Sequence, residues 1–286
     1  MSIAYLNGAW LPLDEARISP LDRGFLFADG VYEVIPVYAG KPFRLAEHLD
    51  RLAFSLHEIQ LAPPLDKAGW ASLLGELIRR NSGGNLSLYL QITRGAAGKR
   101  DHAFPGTDVA GTVFAMTSPL SPVMDLDTVT GLPAITVTDC RWLRCDIKSV
   151  ALLPNILMRQ QAVSQGAAEA ILLRDGQATE GAASNLFIVR DGTVITPPKS
   201  PLILGGITRD LIIELCRAHG VPCQEGAISE AALHQADEIW VSSSTREIAP
   251  VVQLDGQPVG TGQPGPVWRH VAGLYNDFKR ELAERT

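Results

Sequence analysis

The sequence predicts a mixed α/β (α+β) chain of two domains, and three observations carry that expectation. The chain has 286 residues, roughly twice the ~150 of a typical domain. Strand-like and helix-like patterns alternate along it, but without the strict βαβ rhythm of a doubly wound sheet. Residues 118–127 (SPLSPVMDLD) hold two prolines and two acids and interrupt both patterns. The expected boundaries are a first domain at 1–120, a linker at 121–127 and a second domain at 128–286.

In the first domain, residues 3–13 (IAYLNGAWLPL) set Asn7-Gly8 between two apolar runs, a hairpin signal. Residues 31–45 read as a second hairpin turning at Ala39-Gly40. Leu45, Leu49, Leu52, Leu56 and Ile59 recur at helical spacing. A helix near 67–80, a strand at 86–93, a loop at 94–109 and a strand at 112–117 complete the domain. The second domain reads as a strand at 133–139, a helix at 153–165, a strand at 169–174 and a strand pair, 185–190 and 193–196, turning at Asp191-Gly192. A helix at 207–219, a strand at 237–243, a hairpin around Leu254-Asp255-Gly256 and a terminal helix at about 267–284 follow. No internal repeat or low-complexity tract interrupts this order.

Composition excludes several classes. The chain carries 25 Lys+Arg against 31 Asp+Glu, a net charge of −6, with 46% apolar and 20% charged side chains. That composition supports a packed core and argues against nucleic acid or an anionic membrane as the main partner. No run approaches the roughly 18 apolar residues of a membrane span. The start, MSIAYLNGAWLPLDEAR, has neither the basic nor the apolar region of a signal peptide. Cys140, Cys145, Cys216 and Cys223 match neither a disulfide framework nor a zinc spacing, so a reducing cytoplasm is expected. No two histidines stand at i, i+4, and no metal is expected. Gly260 to Gly265 matches the dinucleotide fingerprint letter for letter. Too few residues follow for its strand and acidic end, so the segment reads as the loop opening the last helix. Gly98-Lys99 lacks the flanking residues of a phosphate loop, and no G-x-S-x-G elbow occurs.

Chemistry concentrates in four stretches. Lys148, one of six lysines, lies in Asp146 to Leu153 just ahead of an apolar run that predicts burial. A desolvated ammonium loses its proton more readily, as an imine-forming amine must. Glu180, in Thr179-Glu180-Gly181-Ala182-Ala183-Ser184-Asn185, reads as a residue of a small-residue turn. Its carboxylate either faces water or sits beside a cationic ring nitrogen. Leu204-Gly205-Gly206-Ile207-Thr208 opens a helix whose free N–H groups and dipole suit a phosphate, with the Thr208 hydroxyl as a further donor. Ser242-Ser243-Ser244-Thr245 ends a strand with more hydroxyls. Each of these last two segments also reads as an ordinary cap or turn.

A lysine, a glutamate and a helix-start cradle are the parts of a pyridoxal-phosphate site, and the chain resembles the fold-type IV pyridoxal-phosphate enzymes, the class IV aminotransferases. The similarity runs from about residue 3 to residue 275. It is carried by Arg23-Gly24, Asp29-Gly30-Val31-Tyr32-Glu33, His48-Leu49-Asp50-Arg51-Leu52, Lys148, Glu180 to Asn185 and Gly206-Ile207-Thr208-Arg209. The resemblance implies a smaller N-terminal α/β domain and a C-terminal pseudo-barrel domain. It implies that Lys148 bonds the cofactor and shuttles a proton, and that Glu180 pairs with the pyridine nitrogen. It assigns Arg51, Ile207, Thr208 and Thr245 to the phosphate and Leu204 to one face of the ring. Periodicity alone places Arg51 about 200° from Leu49, off the leucine stripe, and reads it as solvated.

The loop Gly98 to Pro105 reads by composition as a charged solvent loop. In it, Arg100-x-His102 reproduces a pattern of the D-amino-acid aminotransferases. There the Arg and His, with a tyrosine matching Tyr32, bind the substrate α-carboxylate, and a guanidinium fork suits that group. In that family the pair comes from the neighbouring subunit, which implies a homodimer. The implied reaction is ping-pong transamination of D-alanine-like donors with 2-oxoglutarate or pyruvate. The alternatives are a branched-chain aminotransferase, an (R)-selective amine transaminase, an aminodeoxychorismate lyase and a non-catalytic binding module. Ala182 and Ala183 stand where the family often has hydroxyls, a departure that bears on substrate range.

Overall fold

Asn7 and Gly8 both take positive φ, 48° and 94°, as a two-residue hairpin turn requires. The chain therefore reverses between β1 (Ile3–Leu6) and β2 (Ala9–Pro12). Ala39-Gly40, Asp191-Gly192 and Asp255-Gly256 repeat this pair of positive φ angles and turn the other three expected hairpins. The structure, a computed structural model, describes residues 2–120 and 125–284; residues 121–124 of the expected linker lie outside the described residues. The chain divides into two compact units, Met1–Pro122 with Ile147–Leu152, and Val123–Asp146 with Leu153–Thr286.

The first unit continues through α1 (Arg23–Phe27), β3 (Gly30–Tyr38), β4 (Lys41–Pro42), α2 (Leu45–Glu58), α3 (Lys67–Arg80), β5 (Leu86–Thr93) and β6 (Thr112–Pro119). Its six strands run in the order β2-β1-β6-β5-β3-β4, antiparallel throughout. Val31, Ile35 and Val37 of β3 alternate onto one face and pack with Leu49, Leu52, Leu56, Leu74 and Leu77 of the two helices. Helix α1, too short for a periodicity to register, is capped by Asp22. That carboxylate accepts hydrogen bonds from the Gly24 N–H (2.8 Å), Thr93 Oγ1 (3.0 Å) and Thr112 Oγ1 (2.6 Å). Ile147–Leu152 groups with this unit because it lines the edge of β3. Ser149 bridges to Val31, and Ile147 joins the core.

The second unit holds β7 (Leu132–Thr138), α4 (Leu153–Ser164), β8 (Glu169–Arg174), β9 (Gln177–Gly181), β10 (Asn185–Arg190) and β11 (Thr193–Thr196). After these come α5 (Ile207–Ala218), β12 (Cys223–Glu225), β13 (Ile228–Ser229), α6 (Glu230–His234), β14 (Glu238–Ser243), β15 (Glu247–Leu254), β16 (Gln257–Pro258) and α7 (Pro266–Glu284). The strand order is β12-β11-β10-β14-β15-β7-β8-β9-β13, with β16 on β15. Parallel and antiparallel pairs mix in this half-barrel. The loop at Gly260 to Gly265 does open α7. The α7 N-terminus is filled by Glu238, whose carboxylate accepts from the N–H groups of Val267 (2.9 Å) and Trp268 (2.8 Å).

Two expectations are corrected here. The apolar run after Lys148 is not a core wall: only Met158 and Ala162 of α4 are buried, whereas Leu153, Ile156, Leu157 and Val163 form an exposed stripe on the opposite side. Composition gives the apolarity, but which helix face meets the sheet depends on packing. Glu180 lies in strand β9 rather than in a turn, and at 4% exposure its carboxylate does not face water. Its small neighbours answer to crowding instead: a Cβ at Gly181 would run into Ser184 Oγ.

Helix α7 is fixed to the sheet by a buried ion pair. Lys279 Nζ lies 2.6 Å from both oxygens of Glu247, a residue with φ of 58° at the start of β15. Removing one partner of such a pair leaves an uncompensated charge, at a cost of about 3–5 kcal/mol. Lys279→Met is therefore expected to lower the urea unfolding midpoint sharply. The double variant with Glu247→Gln should recover most of the loss, as a double-mutant cycle would measure.

Candidate active site

Lys148 is held by its backbone before its side chain is considered. Its carbonyl accepts from Tyr32 N (3.0 Å), its N–H donates to Ser55 Oγ (3.2 Å), and Val150 N donates to Gly30 O (3.0 Å). The residue is half-buried, and its Nζ stands 4.1 Å from the centroid of the Tyr32 ring, within cation–π range. The Tyr32 ring in turn lies 5.6 Å from that of Tyr89, whose hydroxyl burial pushes up to about 12.

Arg51 is not the solvated arginine that helical periodicity suggests. Its side chain is 9% exposed, and its Nε and Nη2 each lie 2.8 Å from the carboxylate of Glu33. Glu33 shares the β3 phase of Val31, Ile35 and Val37, so alternation carries a carboxylate into the core. There it also meets His48 Nδ1 at 2.8 Å. Burial alone would raise the Glu33 carboxyl, but Arg51, with help from His48, holds it far below the usual range. Burial depresses the His48 imidazole and outweighs the opposing pull of Glu33; Arg51 and Lys148 push the same way as burial. His48, Arg51 and Ser55 thus form a polar stripe along α2, next to its leucines.

Arg100 and His102 are brought together at one ring. Arg100 Cζ lies 4.9 Å from the Phe27 centroid, and the His102 and Phe27 ring centroids are 5.1 Å apart. Both side chains are exposed, as composition suggests, but their loop is anchored. Arg23 donates to the carbonyls of Asp101, His102 and Ala103, and Arg94 lies over the Phe104 ring.

In the second unit, Glu180 Oε2 accepts from Asn185 Nδ2 and from the Leu204 N–H, both at 3.1 Å, while Oε1 accepts from Arg141 Nη1. Leu204, half-buried, returns its carbonyl to Asn185 Nδ2 at 2.8 Å. Arg141 is itself pinned by both oxygens of Asp139 at 2.9 Å. Burial drives the Glu180 carboxyl up to about 7, against the lowering effect of Arg141 and the Leu204 N–H. Three donors leave one of about four carboxylate acceptor positions for a further N–H.

Gly206 caps the start of α5 without a side chain, so the N–H groups of Ile207 and Thr208 are open to an anion. A side chain at Gly206 would run into Asn185 Oδ1. Ser242, the cross-strand partner of Asn185, has a buried Oγ without a hydrogen-bond partner. An uncapped helix start, an orphaned hydroxyl and a carboxylate with one acceptor position to spare fit a phosphorylated pyridine. Thr245 stands exposed on the turn between β14 and β15. Ala182 packs into a core with Met158 and Leu172, whereas Ala183 is exposed.

Arg141, Asp139, Glu33, His48 and Arg23 are among the residues of these clusters to which the sequence alone gives no role. For Glu33 a signal exists, since a carboxylate in phase with core residues needs a cation. Nothing local marks Arg141, which meets Glu180 from a loop far away along the chain.

The raised Glu180 carboxyl makes a pH prediction for the cofactor-free protein. The unfolded chain releases this proton near 4.5, the ordinary value for a glutamate, whereas the folded one keeps it to about 7. Between those values the folded state binds more protons, so stability falls as pH rises. Thermal unfolding from pH 4.5 to 7 should show this slope, and Glu180→Gln should flatten it. An unchanged slope would refute the assignment.

Comparison with known proteins agrees with this chemistry. Residues 30–254 match the family described as amino-transferase class IV. The chain is 41% identical over 279 residues to a D-alanine aminotransferase of Bacillus licheniformis, covering 97% of this chain and 98% of that one. It is 40% identical over 278 residues to the D-alanine aminotransferase of Staphylococcus haemolyticus, covering 97% and 98%. Among solved structures, a branched-chain aminotransferase of Thermoproteus uzoniensis with norvaline superposes with a TM-score of 0.88 at 27% identity, covering 99% of this chain and 96% of that one. A branched-chain amino acid aminotransferase of Thermobaculum terrenum in its PLP form gives 0.85 at 26%, covering 99% and 94%. The chain belongs to the class IV aminotransferases.

Proposed function

We propose that the protein moves the amino group of D-alanine-like D-amino acids to 2-oxoglutarate or pyruvate by a ping-pong scheme that uses pyridoxal 5′-phosphate. The observation that carries this reading is the 41% identity, over nearly the full length of both chains, to a D-alanine aminotransferase. When bound, the cofactor supplies an aldehyde that captures the amine and a ring that accepts the electron pair left at Cα.

The chain's own residues do the rest. Lys148 would hold the cofactor through its amine and serve as the proton carrier at the substrate Cα; its backbone hydrogen bonds to Tyr32 and Ser55 fix where that amine sits. Glu180, set against Arg141, would face the ring nitrogen and favour its protonated form. The N–H groups of Ile207 and Thr208 would hold the phosphate, with Arg51 and Thr245 adding charge and a hydroxyl, and Leu204 would support the ring. Tyr32, Arg100 and His102 receive the α-carboxylate, for which a guanidinium offers two parallel hydrogen bonds.

Exposure of Arg100 and His102 suits a role in a partner's site, and the exposed stripe Leu153, Ile156, Leu157 and Val163 suits a homodimer contact. A cytoplasmic setting belongs to the same reading, since all four cysteines are free thiols. Among the described residues no helix is long and apolar enough to cross a membrane. A branched-chain aminotransferase is the second reading, favoured by the solved structures of that activity.

The test is a panel of D- and L-amino acids with 2-oxoglutarate, read by chiral analysis. D-alanine is expected to be consumed and L-leucine spared; the reverse would establish the second reading. Borohydride should fix the cofactor to the peptide carrying Lys148, and Lys148→Ala should abolish turnover. For the dimer, Ile156→Asp with Leu157→Asp should yield a monomer by analytical ultracentrifugation with activity lost. A double variant that still sediments as the wild type would overturn that assignment.

A further inference from the structure

The loop bearing Arg100 and His102 raises a problem of order. Both side chains are exposed, and the loop is part of a long connection between β5 and β6, so ordering it carries a conformational cost. A carboxylate trap made of two flexible side chains works only if their spacing is set beforehand.

The structure sets it from α1. Arg23 is 4% exposed, and its guanidinium donates to three consecutive backbone carbonyls: Nη1 to Asp101 O (2.6 Å) and Ala103 O (3.1 Å), and Nη2 to His102 O (3.2 Å). Its Nε donates to Asp29 Oδ2 at 2.7 Å, and Asp29 is held in turn by Arg94 Nε at 2.8 Å and Nη2 at 3.0 Å. One turn further along α1, the Phe27 ring meets both Arg100 and His102. The helix therefore grips the loop's backbone with Arg23 and spaces its side chains with Phe27. Three acceptors in one arc call for a planar fork, which lysine lacks.

We propose that Arg23 is a positioning residue for substrate recognition, presetting Arg100 and His102 to the spacing of an α-carboxylate. The inference rests on the reading of those two residues as the carboxylate site. It assigns Arg23 no contact with substrate; Arg23 acts through the loop.

The experiment is a double-mutant cycle on the cofactor-loaded protein with Arg23→Met, Arg100→Ala and the pair, with Arg23→Lys as the milder variant should the first fail to fold. KM for D-alanine should rise about tenfold or more in either single variant, the scale of a lost charge-assisted contact. The cofactor's absorption and kcat should change little. The loss in the pair should fall well short of the sum of the two single losses, because Arg23 acts only through the loop that carries Arg100. The single-turnover rate with 2-aminopropanol, an amine without the carboxylate, should be unaffected. A wild-type KM in both Arg23 variants, additive losses in the pair, or equal loss on the alcohol would each overturn the inference. If Arg100→Ala itself leaves KM unchanged, the carboxylate reading fails instead, and the two failures are told apart.

Discussion

A carboxylate taken out of water must have a cation or several donors against it, and this constraint organises both units. Glu33 meets Arg51 and His48, Asp29 meets Arg23 and Arg94, Glu180 meets Arg141, and Glu247 meets Lys279. An unpaired buried charge would cost several kcal/mol, so each pair fixes the elements that contribute its members. Glu33 and Arg51 join β3 to α2, Asp29 joins α1 to the end of β5, and Glu247 joins β15 to α7. The pairs are therefore fasteners as well as candidate site parts, and the polar groups with chemical promise lie on or beside them.

Backbone geometry does the complementary work. Lys148 is positioned by main-chain hydrogen bonds to the edge of β3, which do not depend on the identity of its neighbours' side chains. The α5 N-terminus offers main-chain N–H groups because its cap position is glycine. Charge is thus placed by side-chain pairs, whereas the Lys148 backbone and the N–H groups at the α5 start are placed by the chain itself. Helix α7 makes a contrast. Its N-terminus is equally well formed, but Glu238 already occupies it, and the glycine fingerprint before it serves as a turn.

Legibility differs by residue. The hairpins at Asn7-Gly8 and Asp191-Gly192 and the helices at 67–80 and 207–218 are readable because turn chemistry and periodicity are local. Helix α1 is not, since five residues show no period, although Arg23 and Phe27 on it order a loop some eighty residues away. Glu180 stands out in the sequence but in the wrong setting, because small residues signal a turn as readily as a crowded strand. Periodicity misreads Arg51, because a helix has a flank between core and solvent where a charged residue can find a buried partner.

The sequence by itself determined the family and the two-domain α/β character and singled out the candidate reactive groups, since these follow from local pattern and from motifs in order. Tertiary structure alone decided which charges meet. Arg141 with Glu180, Glu33 with Arg51, and the carbonyls of 101–103 with Arg23 are distant in the chain, and no local rule predicts them. It also decided that the apolar residues of α4 face outward, because the side of a helix that meets a sheet depends on what the sheet presents. The physical reason is common to all of these: hydrogen bonding and turn preference act over a few residues, whereas burial and ion pairing depend on the assembled neighbourhood.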